Sequence, residues 1–189
     1  MKFVIFGHSY VRDLESLGHF SMSTSKGKIN IEYSSRPGAN IDTYLKDPTI
    51  LEEIADSKPD IVLAIVGGNS IVNGTTNHEL CVKLREFYKI LRHKLPHALI
   101  IAAQVEQRFY KENNRFNAPQ AEEFKARRRS LNTAIKRIKD KDNVLIVSGT
   151  NRLDHEVYYR DGVHLNKAGL KNYMSIVKTT VVYALDNRK

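Results

Sequence analysis

The run Asp60-Ile61-Val62-Leu63-Ala64-Ile65-Val66 constrains the fold more than any other stretch of this sequence. It is short, rich in β-branched residues, and stopped at once by Gly67-Gly68. Its odd and even positions are apolar alike. A strand with one wet face alternates; one that is apolar throughout is covered on both sides, as a central strand of a parallel sheet must be. Such a sheet needs helical crossovers, so the flanking sequence should alternate strand and helix.

It does. Lys2 to Phe6, Ile29 to Tyr33, Ala98 to Ala103 and Val144 to Val147 read as four further strands. Between them, helical patterns run over Ser9 to Leu17 and over Ile41 to Ala55, the latter broken at Asp47-Pro48. A third helix, with Leu80, Val82, Leu84, Phe87 and Leu91 on its apolar side, runs to Lys94. A basic helix spans Pro119 to Lys139, and the turn Asp161 to Asn166 feeds a last one through Val182. The alternation predicts an α/β protein with a central, mostly parallel five-stranded sheet, helices on both faces and right-handed crossovers. Repeats, linkers and low-complexity segments are absent, so residues 1–189 read as a single domain, long enough to need no metal or disulfide staple.

Composition narrows the class. The single cysteine, Cys81, excludes a disulfide framework and a Cys-rich zinc site, and favours a reducing, cytoplasmic setting. The opening apolar run is too short for a signal peptide, and no stretch approaches the ~20 apolar residues of a membrane helix. The histidines lack the paired spacing of a metal site, so neither metal nor cofactor is expected. Thirty Lys and Arg against twenty-one Asp and Glu give a net charge of +9. Lys125, Arg127, Arg128, Arg129, Lys136, Arg137, Lys139 and Lys141 concentrate that charge in the segment 125–141. It reads either as a solvated helix face or as an electrostatic footprint for nucleic acid or an anionic membrane. No stacking-aromatic RNA signature accompanies it. Oligomeric state has no signal in the sequence.

Chemistry in a parallel sheet collects beyond the carboxyl ends of its strands. Four segments there are polar in an informative way: Gly7-His8-Ser9, Pro37-Gly38-Ala39-Asn40, Gly67-Gly68-Asn69-Ser70 and Asp161-Gly162-Val163-His164. Each has an ordinary structural explanation as a cap or turn. Together they supply an acyl-transfer site. Ser9 would be the nucleophile and His164 its base, with Asp161, three residues earlier, holding the imidazole tautomer. His155 is a rival base without that fixed acidic neighbour. Backbone N–H groups at Ser9 and within Gly38-Ala39, with the side-chain amide of Asn69, could stabilise the oxyanion, one such donor contributing ~3 kcal/mol.

These four blocks, in this order, resemble the SGNH hydrolase superfamily, the GDSL esterases and lipases. The resemblance spans residue 3 to about residue 175. It implies a flavodoxin-like three-layer α/β/α sandwich, with Ser9, Asp161 and His164 catalytic and Ser9, Gly38 and Asn69 forming the oxyanion hole. The sequence departs from the family pattern in two places. His8 stands where the family usually has an acid, and Pro-Gly-Ala-Asn leaves open whether Gly38 or Ala39 is the oxyanion residue. Ser70, where many members carry Asp or Glu, is a smaller difference. Gly-His-Ser-Tyr-Val-Arg with the high positive charge further resembles the esterase domain of the first open-reading-frame protein of LINE-type retrotransposons. The reading that follows is a serine esterase for short, acetyl-like acyl esters of small molecules or lipids. Its rival is a catalytically weak module of the same fold binding RNA, membrane or a partner protein within a retrotransposon ribonucleoprotein.

Overall fold

The computed structural model describes residues 1–18, 20–25, 27–72, 75–109, 118–138, 144–147 and 155–186. Its strands are β1 (Lys2–Gly7), β2 (Met22–Thr24), β3 (Gly27–Ser35), β4 (Ile61–Ile65), β5 (Leu99–Ala103) and β6 (Val144–Val147). Its α-helices are α1 (Ser9–Glu15), α2 (Ile41–Lys46), α3 (Pro48–Asp56), α4 (Gly68–Ile71), α5 (Asn77–Lys94), α6 (Ala118–Ile138) and α7 (Lys167–Asp186), with a 3-10 turn over His155–Val157.

The sheet order is β2-β3-β1-β4-β5-β6, parallel throughout except for the antiparallel β2–β3 pair. β4 sits between β1 and β5, and all five of its residues are buried. Val62, Ala64 and Val66 join one core with Phe6, Tyr44, Phe87, Ile100 and Leu131, under α2, α3, α5 and α6. Ile61, Leu63 and Ile65 join the other with Phe3, Val11, Leu14, Ile101, Tyr173 and Val177, under α1 and α7. Two apolar faces on one strand thus give three layers.

The strand count is six where five were expected. β2 is three residues in a serine-rich stretch, too short and polar for a periodicity signal, yet Met22 is buried in pairing with Ile29. The break expected at Asp47-Pro48 divides the 41–55 stretch into two helices, with Asp47 capping α3 at Pro48 and accepting the Thr49 N–H at 3.1 Å. The polar loop expected after Gly67 opens instead with the single turn α4. Val82, assigned to the apolar side of its helix, is 42% exposed. Lys139 and Lys141 lie outside the described residues.

Register fixes where the loops leave. Gly7 pairs with both Ser35 and Ile65, so β1, β3 and β4 end level, and Ala64 pairing with Ala102 brings the end of β5 to the same edge. The chain crosses from one side of β1 to the other between β3 and β4. That reversal opens a crevice at the carboxyl end of β1, the place where open α/β sheets bind ligands.

Candidate active site

Gly7 ends β1 with φ +152°, and a Cβ there would stand 2.1 Å from the Ile65 carbonyl oxygen. Only glycine lets the chain pass Ile65 in this conformation, and it then turns sharply into α1. His8 caps the helix by accepting the Tyr10 N–H at Nδ1, 3.4 Å away. Ser9 follows as the first residue of α1, beside the crevice.

Across 155 positions of sequence, Ser9 Oγ and His164 Nε2 lie 3.0 Å apart. His164 Nδ1 is 2.7 Å from Asp161 Oδ2, while Asp161 Oδ1 accepts the N–H groups of Val163 at 2.8 Å and His164 at 2.9 Å. Desolvation disfavours the Asp161 charge, but the imidazole and the two backbone donors outweigh it and hold the carboxyl below its ordinary value. An ionised carboxylate can only accept, so it keeps the hydrogen on Nδ1 and leaves Nε2 to accept from the serine hydroxyl. Tyr10 braces the turn by donating to the Val163 carbonyl at 2.5 Å.

The opposite wall comes from the ends of β3 and β4. Arg36 to Ala39 form a turn closed by the Ala39 N–H donating to the Arg36 carbonyl at 3.0 Å. Pro37 at its second position and Gly38 at φ +82° at its third give a type II geometry, which requires the positive φ that glycine supplies. The Ala39 N–H is thereby used, whereas the Gly38 N–H has no partner among the described residues. Asn69, on α4, donates from Nδ2 to the Ala39 carbonyl at 3.1 Å, and its Oδ1 accepts from Arg108 Nη2 at 3.2 Å. Ser70 Oγ accepts the Ile41 N–H at 2.9 Å, tying α4 to α2.

Ser9, Gly38, Asn69, Asp161 and His164 line one cavity of about 560 Å³, with His8, Tyr10, Arg12, Arg108 and Val163. All five residues singled out from sequence are therefore brought together. A larger hollow of about 660 Å³ lies against β3, lined in part by Phe20, Ile31 and Tyr33, and holds none of them. No group of His, Cys, Asp and Glu suited to a metal ion occurs among the described residues.

His8, Arg108 and Glu106 set the electrostatics behind the serine. Burial, then the nearby Arg108 and His164, lower the His8 pKa to about 3, so its ring is neutral and its Nε2 carries the hydrogen. Glu106 is buried with neither carboxyl oxygen hydrogen-bonded among the described residues, and desolvation raises its pKa to about 8 despite Arg128. Sequence reasoning missed Tyr10, Glu106 and Arg108. Tyr10 carried one usable signal, its place directly after Ser9. The other two lie in a segment whose path no periodicity dictates.

The basic helix proves partly inward. Arg128 is buried and donates to the Val105 carbonyl at 3.4 Å, Arg127 bonds the Thr75 carbonyl and Asn77, and Lys125 pairs with Glu122 at 3.2 Å. Arg129, Lys136 and Arg137 are exposed.

A parallel α/β/α sandwich with Gly-x-Ser, Gly, Asn and Asp-x-x-His blocks converging on the end of its first strand is the architecture of the SGNH hydrolases. The chain belongs to the GDSL-like Lipase/Acylhydrolase family, whose sequence profile matches residues 20–171. It is an ester hydrolase by family. The match takes in Asn69, Asp161 and His164 and begins beyond Ser9. No curated protein sequence matches the chain. Among solved structures it is similar to a carbohydrate esterase family 3 protein from Talaromyces cellulolyticus, with a TM-score of 0.69 at 14% identity over 100% of both chains. It is similar also to a lipase/acylhydrolase from Enterococcus faecalis, with a TM-score of 0.66 at 15% identity over 100% of this chain and 97% of that one. A Ser-to-Ala mutant of an acetyl esterase, solved with acetate ion, superposes with a TM-score of 0.62 at 14% identity, covering 98% of this chain and 96% of the other. At these identities the likeness is one of fold.

Proposed function

We propose that the protein is a serine esterase that removes short, acetyl-like acyl groups through Ser9, His164 and Asp161. The observation that carries this reading is the unbroken series from Ser9 Oγ to His164 Nε2 at 3.0 Å and from His164 Nδ1 to Asp161 Oδ2 at 2.7 Å. Ser9 Oγ attacks the ester carbonyl carbon while its proton passes to His164 Nε2. The carbonyl oxygen becomes an oxyanion, met by the N–H groups of Ser9 and Gly38 and by the second Nδ2 hydrogen of Asn69. His164 returns the proton to the leaving alkoxide, and water, activated by the same imidazole, releases the acid from the acyl-serine. With the Ala39 N–H committed to its turn, Gly38 is the better candidate for the second oxyanion donor.

Hydrolysis of p-nitrophenyl acetate by wild type and by Ser9→Ala tests the reading. The alanine variant should lose essentially all turnover, and a fluorophosphonate should label the wild type once, at Ser9. Equal rates, or a folded wild type that takes no label, would sink it.

The exposed Arg129, Lys136 and Arg137 favour a second role, an electrostatic contact with RNA or an anionic membrane. This is the setting to which the retrotransposon resemblance points. Binding to single-stranded RNA that weakens steeply with salt supports it, and salt-insensitive or absent binding, with anionic vesicles as the second arm, refutes it.

A further inference from the structure

Among the described residues, Arg108 is the one strong cation in the wall of the cavity that bonds directly to a residue of the candidate oxyanion hole. Its Nη2 donates to Asn69 Oδ1 at 3.2 Å and to the Gly68 carbonyl at 3.3 Å. Its guanidinium carbon lies 4.6 Å from the centre of the Phe124 ring on α6, so the aromatic face holds the planar group from the other side.

The consequence concerns Asn69. A carboxamide has two nearly isosteric ends, one donating and one accepting, and rotation by half a turn exchanges them. An oxyanion donor is useful only if the NH₂ end is the one presented. Here Nδ2 faces the Ala39 carbonyl, which can only accept, at 3.1 Å. Oδ1 faces a guanidinium, which can only donate. Rotation of the amide would set donor against donor and acceptor against acceptor at once. The Ala39 carbonyl engages one Nδ2 hydrogen, which leaves the second for an oxyanion in the cavity that Asn69 lines. Arg108 excludes the inverted amide, and its charge sits beside the place where negative charge develops.

The same segment reaches the other half of the site. The Phe109 N–H donates to the Gly162 carbonyl at 2.8 Å, and the Phe109 ring packs on Tyr158 with centroids 4.9 Å apart. Two adjacent residues therefore brace opposite walls: Arg108 the asparagine, Phe109 the turn that carries His164.

We propose that Arg108 is a positioning residue for the reaction, fixing the Asn69 amide with its NH₂ end toward the oxyanion, and that Phe124 of the basic helix seats it. This rests on the reading of Asn69 as an oxyanion donor. The test is steady-state hydrolysis of p-nitrophenyl acetate by Arg108→Met, Arg108→Lys, Asn69→Ala and the Arg108→Met/Asn69→Ala double variant. Loss of one oxyanion donor costs ~10²–10³ in kcat, and Arg108→Met should approach the lower end of that range with KM changed less than about threefold. Lysine, which restores one donor, should recover part of the loss. In the Asn69→Ala background, Arg108→Met should have almost no further effect, because the group it positions is gone. An effect fully retained in that background, or confined to KM, overturns the proposal and assigns Arg108 to substrate binding.

A readout independent of turnover separates this inference from the esterase reading. The Asn69 side-chain amide resonances, assigned by their loss in Asn69→Ala, should move in Arg108→Met and return toward wild type in Arg108→Lys. Unmoved resonances overturn the proposal even in a fully active enzyme. Moved resonances in a wild type that neither hydrolyses the ester nor takes a fluorophosphonate uphold the positioning contact, and the failure then falls on the esterase reading.

Discussion

Two carboxyl groups stand near the candidate site, Asp161 on the turn before α7 and Glu106 on the segment after β5. Asp161 is exposed at the rim and accepts hydrogen bonds from two backbone N–H groups and one imidazole. Glu106 is walled in and receives none among the described residues. Hydrogen bonds hold the first below the ordinary range, and burial lifts the second to about 8. Within one chain, partners rather than residue type decide which acid is an anion at neutral pH. The bonded acid can support an imidazolium; the unbonded one is a neutral wedge behind the serine.

The comparison breaks most sharply at Asp161→Asn. Replacing the acceptor of the Nδ1 hydrogen with an amide frees the wrong tautomer, and kcat should fall by ~10³–10⁴ in ester hydrolysis, with the fold intact by circular dichroism. Tyr10→Phe comes next. It strips the Val163 carbonyl of its donor, should cost about 1 kcal/mol in urea denaturation, and should lower kcat more than it raises KM because the His164 turn loosens.

Glu106→Gln sharpens the other side through its pH dependence. With its pKa lifted from 4.5 to about 8, the folded chain binds more protons than the unfolded chain between those values. Stability from this group is therefore complete below the lower value and lost as pH rises through the upper one. The glutamine variant should gain in melting temperature relative to wild type as the pH is raised from about 5 to about 9, with turnover little changed. His8 works in the opposite sense. Its pKa falls from 6.5 to about 3, so its contribution is complete above the first value and lost as pH falls toward the second. A melting curve of wild type should consequently decline on both sides of the middle of the range. The smallest effect is expected at Asn166→Ala. Asn166 Oδ1 accepts the N–H groups of Ala168 and Gly169 at the start of α7, and losing that cap should cost ~1 kcal/mol with kcat preserved.

The sequence made the layers readable because β4 is apolar at every position, and that pattern has one structural solution. Ser9, Gly38 and Asn69 could be singled out because they follow the ends of β1, β3 and β4, which register brings level. Asp161 and His164 are marked by their spacing and reach the same cavity from the turn before α7. The missing parts share a different origin. β2 is too short to show a period, and its only anchor is Met22. Arg108 and Glu106 lie in a segment without periodicity, where the path of the chain decides which way their side chains face. The basic helix misled in the same manner: the side chains of Arg127 and Arg128 turn inward to carbonyl partners that no charge count can locate. The turn-closing hydrogen bond that occupies the Ala39 N–H, and so favours Gly38 as the donor, leaves no mark in the sequence.

Ser9 and the imidazole hydrogen-bonded to it stand 155 positions apart in the sequence. On a translating ribosome the serine emerges 155 residues ahead of that imidazole and until then lacks this partner. The imidazole is delivered by the turn leading into α7, whose docking completes the second core. The Ser9–His164 contact can therefore form only after that turn has been made. A chain stopped before that turn would present Ser9, Gly38 and Asn69 without the imidazole that shares their cavity, so the Ser9–His164 contact reports that these distant segments have docked.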